Sequence, residues 1–325
     1  YSYADKYLIQ GNFRQDKTSL FAPENNTGNF YSFSGAWKLS NEKFIAAILP
    51  TWVDMIKIRG GYGELGNNAV GAYAYSPTVN AFVPYTWGGA FTGVPASGTI
   101  VTDVKDQNIH WEKTASTNIA AEFGLLNNKL QLSGEYFVRK STDLLFSVPL
   151  PATSGSAGSI MTNAGDVENK GFEFTIGYTN NDNAFKYGIS ANFGTLKNKV
   201  TKIGNDNGPI TLGPSRTEVG RSIAELYAWE TDGIFQTQAE IDAAPTQSIS
   251  TRPGDIKFKD QNGDGMIDDK DRTFQGQAIP KYTYGINLNF EYKNWELSML
   301  WQGAGGNKVF NAVYRDLMAG QYGNS

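Results

Sequence analysis

The feature that most constrains this chain is a strict alternation of apolar and polar residues over runs of about ten residues. The clearest run is Tyr282–Tyr292, whose apolar residues are Tyr282, Tyr284, Ile286, Leu288, Phe290 and Tyr292. A two-residue period is that of a β-strand, which points successive side chains to opposite faces. Aromatic residues at both ends of the apolar face, with aliphatic residues between them, are the order expected of a strand that faces lipid.

The same alternation recurs along most of the chain and predicts about nine long strands. Strong patterns lie at 130–141, 172–178, 184–198 and 282–292 and from Trp295 onward, and weaker ones at 7–14, 29–39, 54–63 and 113–123. Strands of a soluble sandwich usually have about five or six residues, whereas a tilted membrane strand needs about 9–11. We therefore predict an all-β chain that forms a transmembrane antiparallel β-barrel. A soluble sandwich, with a second sheet over the apolar face, is the alternative.

Composition supports the barrel and excludes several classes of protein. Only 18% of the residues are charged and 13% are aromatic, yet the mean hydropathy is −0.39, as expected where lipid-facing and water-facing residues alternate. The net charge of −4 and the lack of Lys/Arg clusters argue against nucleic-acid binding. The chain has no cysteine, so it has neither disulfides nor thiolate sites. No apolar run approaches the ~20 residues of a membrane-spanning helix.

The lengths of the connections predict which end of each strand faces outward. Short turns are predicted at 126–129, 180–183 and 293–294, and long connections at 64–112, 142–168 and 199–281. In bacterial barrels short turns lie on the periplasmic side and long loops outside. Region 199–281 is therefore predicted to be a large extracellular loop region, with 224–235 and 255–259 forming a hairpin.

Two further expectations concern the periplasmic side and the edges of the sheet. Segment 40–52 is placed on the periplasmic side, where Phe44, Ala47 and Ile48 suit a short amphipathic helix. Nine strands cannot close in the bacterial pattern of even counts, and open edges in lipid would cost several kcal/mol per unpaired group. Residues 1–325 are thus expected to be part of a larger barrel, with both chain ends interpreted as cuts.

Residues 260–271 have the ligand spacing of a calcium loop. The candidate ligands are Asp260, Asn262, Asp264, Met266 through its carbonyl, Asp268 and Asp271. Calcium prefers such a set of oxygens, and Gly265 allows the sharp turn at the sixth position. Asp271 stands where an EF-hand has Glu, which would weaken bidentate contact. The alternative is a solvated turn held by its own side-chain hydrogen bonds.

No constellation predicts an enzyme. His110 is the only histidine and lies beside Trp111, which favours a structural role. Asp166 and Glu168 are expected to be solvated and do not define a glycosidase pair. The aromatic residues of loop 73–91 could stack on sugar rings or pack the loop against its neighbours.

Several ordered motifs resemble one family. They are segment 52–67, with its Trp52 start and its Gly66 and Asn67 end, followed by Trp111, Glu112, Lys113 and Asn118, segments 169–173 and 254–268, and finally Pro280, Tyr284 and Gly285. Together they resemble the SusC/RagA-type TonB-dependent outer-membrane transporters over essentially the whole chain.

The resemblance implies a barrel of about 22 strands that is occluded by an N-terminal plug. It also implies energy from the TonB complex, a SusD-like surface lipoprotein as partner, and import of glycans or peptides across the outer membrane of Bacteroidota. The calcium-like loop is carried over only as a metal site, and no catalytic residues are implied. Against that family pattern, the plug, the TonB-contacting segment and the last strands are expected to lie outside residues 1–325. Other functions left open are a passive porin or adhesin, and a secreted calcium-dependent glycan-binding protein.

Overall fold

The computed structural model describes residues 1–85, 96–101, 104–150, 153, 159–204 and 208–318. In chain order the strands are β1 (Ser2–Tyr3), β2 (Tyr7–Lys17), β3 (Thr27–Lys38), β4 (Val53–Asn67), β5 (Val79–Tyr85), β6 (Ala96–Val101), β7 (Glu112–Leu125), β8 (Leu130–Thr142), β9 (Leu145–Pro149), β10 (Ser159–Asn163), β11 (Gly165–Asn180), β12 (Phe185–Thr195), β13 (Lys197–Ile203), β14 (Ile210–Leu212), β15 (Ser215–Thr217), β16 (Glu225–Trp229), β17 (Thr231–Ile234), β18 (Ile256–Phe258), β19 (Arg272–Gly276), β20 (Tyr282–Tyr292) and β21 (Trp295–Gly305). The helices are α1 (Lys43–Ala46), α2 (Gln238–Ala243) and α3 (Ala312–Met318), with 3-10 turns at Leu39–Asn41 and Asp269–Asp271. None of the helices in these ranges is long and apolar enough to cross a membrane.

One antiparallel sheet of eleven strands dominates the structure. Its order is β1-β2-β3-β4-β7-β8-β11-β12-β20-β21, and β13 pairs with β11 beside that path. The nine strands β2, β3, β4, β7, β8, β11, β12, β20 and β21 have 11 to 16 residues each, and we call them the wall. Each is paired with the next long strand along the chain. The predicted number and order of long strands are confirmed.

The register separates the wall into an apolar face and a polar face. Ile189 lies between Leu288 on β20 and Tyr178 on β11, and Leu288 in turn opposes Met299 on β21. Residues one position along, such as Ser190 opposite Asn287, lie on the polar face. Because the side-chain period is two, one consistent register aligns all the apolar residues on the same side.

The apolar face is exposed across the sheet. Phe172 is 62% exposed and Ile119 is 59% exposed, although both belong to central strands. No second sheet covers these residues in the part of the chain that the structure describes, so the sandwich alternative is excluded. An apolar surface of this extent requires an apolar environment.

Short connections gather at one end of the wall, which we call the short-turn rim. They are 126–129, 181–184 and 293–294, together with the longer segment 39–52. Leu126, Asn127, Asn128 and Lys293 have positive φ, as tight turns require. The helix expected in 40–52 is present as α1, and the long connections lie at the opposite, outer end.

Several strand boundaries differ from the prediction by up to three residues, and three differences are larger or change the strand count. Strand β4 continues past Gly63 to Asn67, because its ladder with β7 extends to the Asn67–Glu112 pair. Strand β11 begins at Gly165 rather than Phe172, because its first residues pair with β13. The predicted strand 184–198 divides at Leu196 into β12 and β13.

The outer region between Lys199 and Lys281 contains short strands. β14, β15, β16 and β19 form a four-stranded sheet, and β17 pairs with β18. The expected hairpin is confirmed for the β17–β18 part, whereas Glu225–Trp229 pairs with β19 instead. Val200 and Ile203 of β13 are buried with Val167 and anchor this region to β11. Region 199–281 therefore begins within a strand.

A second apolar cluster lies among the other outer connections. Phe21, Phe30, Ala74, Ile109 and Trp111 are buried together. The rings of Phe21 and Phe30 both meet Trp111 edge-on, at centroid distances of 5.7 and 5.6 Å. Several loops thus share one small core above the wall.

Candidate functional site

A charged cluster occupies the polar face of the wall, where three strands meet. Arg59 on β4 contacts Glu122 on β7 through Nε at 2.7 Å, and Glu135 on β8 through Nη2 at 2.6 Å. Lys57 Nζ lies 3.0 Å from the second oxygen of Glu122, and Asn118 Nδ2 donates to Glu135 at 2.9 Å. We call these five residues the wall cluster.

The register and small neighbours bring the wall cluster together. Lys57 is directly opposite Glu122, and Ala120 is opposite both Arg59 and Glu135. Because Ala120 is small, the guanidinium of Arg59 can pass over β7 to reach Glu135. Gly61 leaves room for the side chain of Asn118, because a Cβ at position 61 would lie 2.9 Å from Asn118 Oδ1.

Charge balance decides what the wall cluster can do. Its side chains are roughly a fifth to a third exposed, so water partly screens them. Single ion pairs of this kind contribute about 0–1 kcal/mol, and linked pairs somewhat more. All the charges are neutralised by partners. The cluster therefore provides a fixed, hydrated, hydrogen-bonding surface and no acid–base pair.

The candidate calcium ligands lie in an exposed loop of the outer region. Asp260 accepts hydrogen bonds from the amides of Gly263 at 2.6 Å and Gly265 at 2.8 Å. Asn262 accepts from the amide of Asp264 at 2.8 Å, and Asp264 accepts from that of Met266 at 3.0 Å. Gly263 and Gly265 have φ of 75° and 82°. The residues at these positions therefore form the sharp turn that the spacing predicts.

Asp271 closes the loop from a fully buried position, with 0% of its surface exposed. Its carboxylate accepts from the amide of Asp268 at 2.8 Å and from that of Gln261 at 2.9 Å. Those backbone donors, the Asp268 amide first, hold the pKa of Asp271 below its usual value, although burial acts in the opposite direction. Asp268 in turn caps the 3-10 turn by accepting from the amide of Lys270.

The donor set suits calcium in type, but its oxygens are engaged with the loop itself. Among the described residues, no three His, Cys, Asp or Glu side chains come together in an arrangement that holds a metal ion. The oxygens of Asp260, Asn262, Asp264, Asp268 and Asp271 that accept backbone amides each keep a second lone pair, and Met266 would offer its carbonyl. Calcium binding stays a prediction.

Stacked arginines and aromatic rings cover the sheet beside this loop, and sequence reasoning missed them. Arg221 lies 3.7 Å from the centroid of Phe274, and Arg216 lies 4.8 Å from that of Tyr227. Arg272 lies 4.1 Å from the Trp229 ring. Arginine over an aromatic face is attracted by the ring quadrupole. Their spacing along the chain carries no helical or strand period, so only the fold reveals the stack.

The residues considered for catalysis have structural contacts. The backbone amide of His110 donates to Asn163 Oδ1 at 2.9 Å, and its ring Nδ1 lies 2.8 Å from the carbonyl of Asn108. Asp166 accepts from the amide of Asp143 at 3.0 Å, and Glu168 lies between two lysines. These contacts fix outer segments and agree with the structural role expected of His110.

The aromatic residues of loop 73–91 are only partly described. Tyr73 is exposed, whereas Tyr75 packs against the Trp111 cluster. Trp87 and Phe91 lie outside the described residues. The two interpretations of this loop, stacking on sugars and packing, therefore stay open.

The chain was compared with known families and structures. The family described as "TonB dependent receptor-like, beta-barrel" matches residues 1–324. TonB-dependent receptor P3 of Formosa agariphila is 31% identical, over 98% of this chain and 32% of its own length. TonB-dependent receptor SusC of Bacteroides thetaiotaomicron is 26% identical, over 98% of this chain and 31% of its own.

Solved structures share the fold. The structure of the RagAB peptide transporter matches with a TM-score of 0.77 at 23% identity, covering 94% of this chain and 32% of that one. The chain thus spans about a third of the length of the relatives it matches. Those relatives are receptors and transporters rather than enzymes. The two-faced antiparallel wall and the match over 1–324 show that the chain belongs to the TonB-dependent receptor β-barrel family, among relatives of the SusC/RagA type.

Proposed function

We propose that this chain supplies part of the barrel wall and outer loops of an outer-membrane receptor that imports oligosaccharides or peptides. The observation that carries the proposal is the wall itself, with an apolar face exposed to the surroundings and a charged, hydrated face opposite. A wall of this kind suits a barrel with lipid outside and water within. The relatives include SusC and the RagAB peptide transporter, which supports this class of cargo.

The proposed import draws energy from the TonB complex and uses a SusD-like surface lipoprotein as partner. The TonB coupling and the lipoprotein partner are proposed for the whole receptor. This chain spans about a third of the length of its relatives. The placement in a Gram-negative, Bacteroidota-type outer membrane is supported by relatives from Formosa and Bacteroides.

Uptake in cells tests the proposal. Cells with and without the full-length receptor gene are given fluorescent oligosaccharides or peptides, and uptake is measured before and after an uncoupler collapses the proton gradient. Energised import predicts receptor-dependent uptake that stops with the uncoupler. Receptor-dependent uptake that continues would instead indicate a passive porin. Release of the protein from membranes by carbonate would favour the secreted glycan-binding alternative.

We further propose that loop 260–271 binds calcium as a structural clamp. The glycine turn and the oxygen-rich donor set support it. Calorimetric titration of the receptor with calcium, before and after Asp260→Ala with Asp264→Ala, tests it. Loss of the binding heat in the double variant is expected. An unchanged titration would assign any bound calcium to another part of the receptor.

A further inference from the structure

The segment 39–52 at the short-turn rim carries apolar side chains that the described residues of this chain leave exposed. Phe44 is 62% exposed and Ile48 is 76% exposed. Phe44 lies in α1 and Ile48 in the turn that follows it. Backbone bonds from the Ala47 amide to the Lys43 carbonyl and from the Leu49 amide to the Ile45 carbonyl continue the helical path, so side chains four residues apart lie on one side. Ile45 and Leu49, on another side, are half-buried. The segment is thus apolar toward the protein and also away from it.

The segment is fixed against the apolar face of the wall, and not against the polar face. Glu42, the residue before α1, is buried and accepts hydrogen bonds from Tyr7 Oη at 2.7 Å, Lys6 Nζ at 2.9 Å and Trp37 Nε1 at 3.3 Å. Tyr7 and Trp37 are cross-strand partners whose rings stack at 6.1 Å on the apolar face. The buried carboxylate therefore holds the segment at the lipid-facing edge of the rim.

Above the two rings that bind Glu42, the apolar face continues up the wall. The same two rings border an almost wholly apolar cavity of about 310 Å³, together with Ile58, Ile119 and the backbone at Gly35 and Gly60. Gly35 and Gly60 oppose each other in the ladder between β3 and β4 and leave this space without side chains. Through Glu42 the rim segment is thus tied to the end of an apolar surface that extends up the wall.

We propose that the 39–52 segment lies in the lipid of the periplasmic leaflet, with Phe44 and Ile48 inserted at the boundary between headgroups and acyl chains. This inference rests on the proposed location in the outer membrane. A short amphipathic segment that buries an apolar side at this boundary is stabilised in proportion to the area it removes from water. Lys43, which is exposed beside Phe44, is placed to reach the headgroups.

Spin labels at single cysteines test the depth of these side chains. The chain has no native cysteine, so Phe44→Cys and Ile48→Cys each give one label in this part of the full-length receptor, with any cysteine elsewhere replaced. The receptor is reconstituted in phosphatidylethanolamine/phosphatidylglycerol vesicles. Collision rates are measured with oxygen, which concentrates in the acyl region, and with a water-soluble nickel chelate. Both side chains are largely exposed, so their replacement removes little internal packing, and gel mobility before and after heating confirms a folded barrel.

Two matched labels separate the outcomes. Asn181→Cys, in the exposed turn 181–184 at the same rim, reports water, and Ile189→Cys, on the apolar face, reports lipid. Labels at 44 and 48 are expected to favour oxygen over nickel as Ile189→Cys does. A nickel preference like that of Asn181→Cys would overturn the inference while leaving the membrane location intact. Low collision with both reagents would mean that protein covers the segment, which also overturns it. A nickel preference at Ile189→Cys would contradict the proposed location itself.

Discussion

The wall and the outer region are both built from β-strands, yet different interactions hold them. Every residue of β20 pairs with β12 on one side and β21 on the other. The strands of the outer region have three to seven residues, and register shifts interrupt three of their pairings, those of β13 with β11, β16 with β19 and β17 with β18. There, buried Asp271 and the stacked arginines replace the long ladder. The stability of the wall thus depends on the spacing between paired backbones, whereas that of the outer region depends on particular side chains.

The largest expected effect comes from crowding the wall backbone at Gly171. A Cβ at this position would overlap the backbone carbonyl oxygen of Thr195, and backbone cannot move aside as a flexible side chain can. We expect Gly171→Ala to cost about 3 kcal/mol or more of unfolding free energy, because β12 must shift. Urea unfolding followed by gel mobility measures this.

The matched control is Gly134→Ala on the neighbouring strand β8. No atom lies within 4 Å of a Cβ there. Its unfolding midpoint should stay near that of the wild type. Equal losses for Gly134→Ala and Gly171→Ala would contradict the dependence on local backbone spacing.

A smaller effect is expected from removing the hub of the wall cluster. Arg59→Ala leaves Glu122 and Glu135 without their shared cation. We expect a loss of about 1–2 kcal/mol that shrinks in high salt. In the isolated pair Lys186–Glu291, at 2.7 Å, Lys186→Ala should cost only about 0.5 kcal/mol. Similar losses for both variants in urea unfolding would mean that the cluster acts as separate pairs.

In the outer region, Asp271→Ala should loosen one loop without affecting the wall. The substitution removes the acceptors of the Gln261 and Asp268 amides. Amide hydrogen exchange in 260–271 should become about tenfold faster or more, since buried donors lose their partner. Asp269→Ala is a suitable control because its side chain is largely exposed. Faster exchange along β11 or β20 would show that loop and wall unfold together.

Acid should reproduce a weaker form of that loosening. The pKa of Asp271 is lowered in the folded loop, so its contribution is present above the ordinary carboxyl range and is lost only as pH falls through the lowered value. Exchange of the 260–271 amides, corrected for the intrinsic effect of pH, should therefore rise only in strong acid. The rise should be absent in Asp271→Ala. Loosening at mildly acid pH would assign the transition to another group.

How much the sequence could predict also differs between the two regions. The wall strands were readable because one environment on each face imposes a period of two over ten residues. Their outer ends were not, since Gly165 and Asn67 lie where the apolar alternation has stopped and only a partner strand defines the ladder.

Positions of the candidate calcium ligands were readable as a turn, because glycine spacing fixes local backbone geometry. The wall cluster was not, since the distances from Arg59 to Glu122 and Glu135 depend on register between strands far apart in sequence. The one signal in the sequence for this cluster was that charged residues of opposite sign occur on the polar face of three successive strands. The role of Glu42 was hidden for the same reason, because its donors come from β2, β3 and the turn before β2.

Strand β11 is the longest in the structure, with 16 residues, and it passes from the wall into the outer region without a break. Its first half pairs with β13 and its second half with β12, while β8 runs beside nearly all of it. The outer residues that pack on β13 and Val167 are therefore joined to the wall through one continuous strand. We therefore expect any rearrangement of the outer loops to occur in the other connections, while β11 keeps its position.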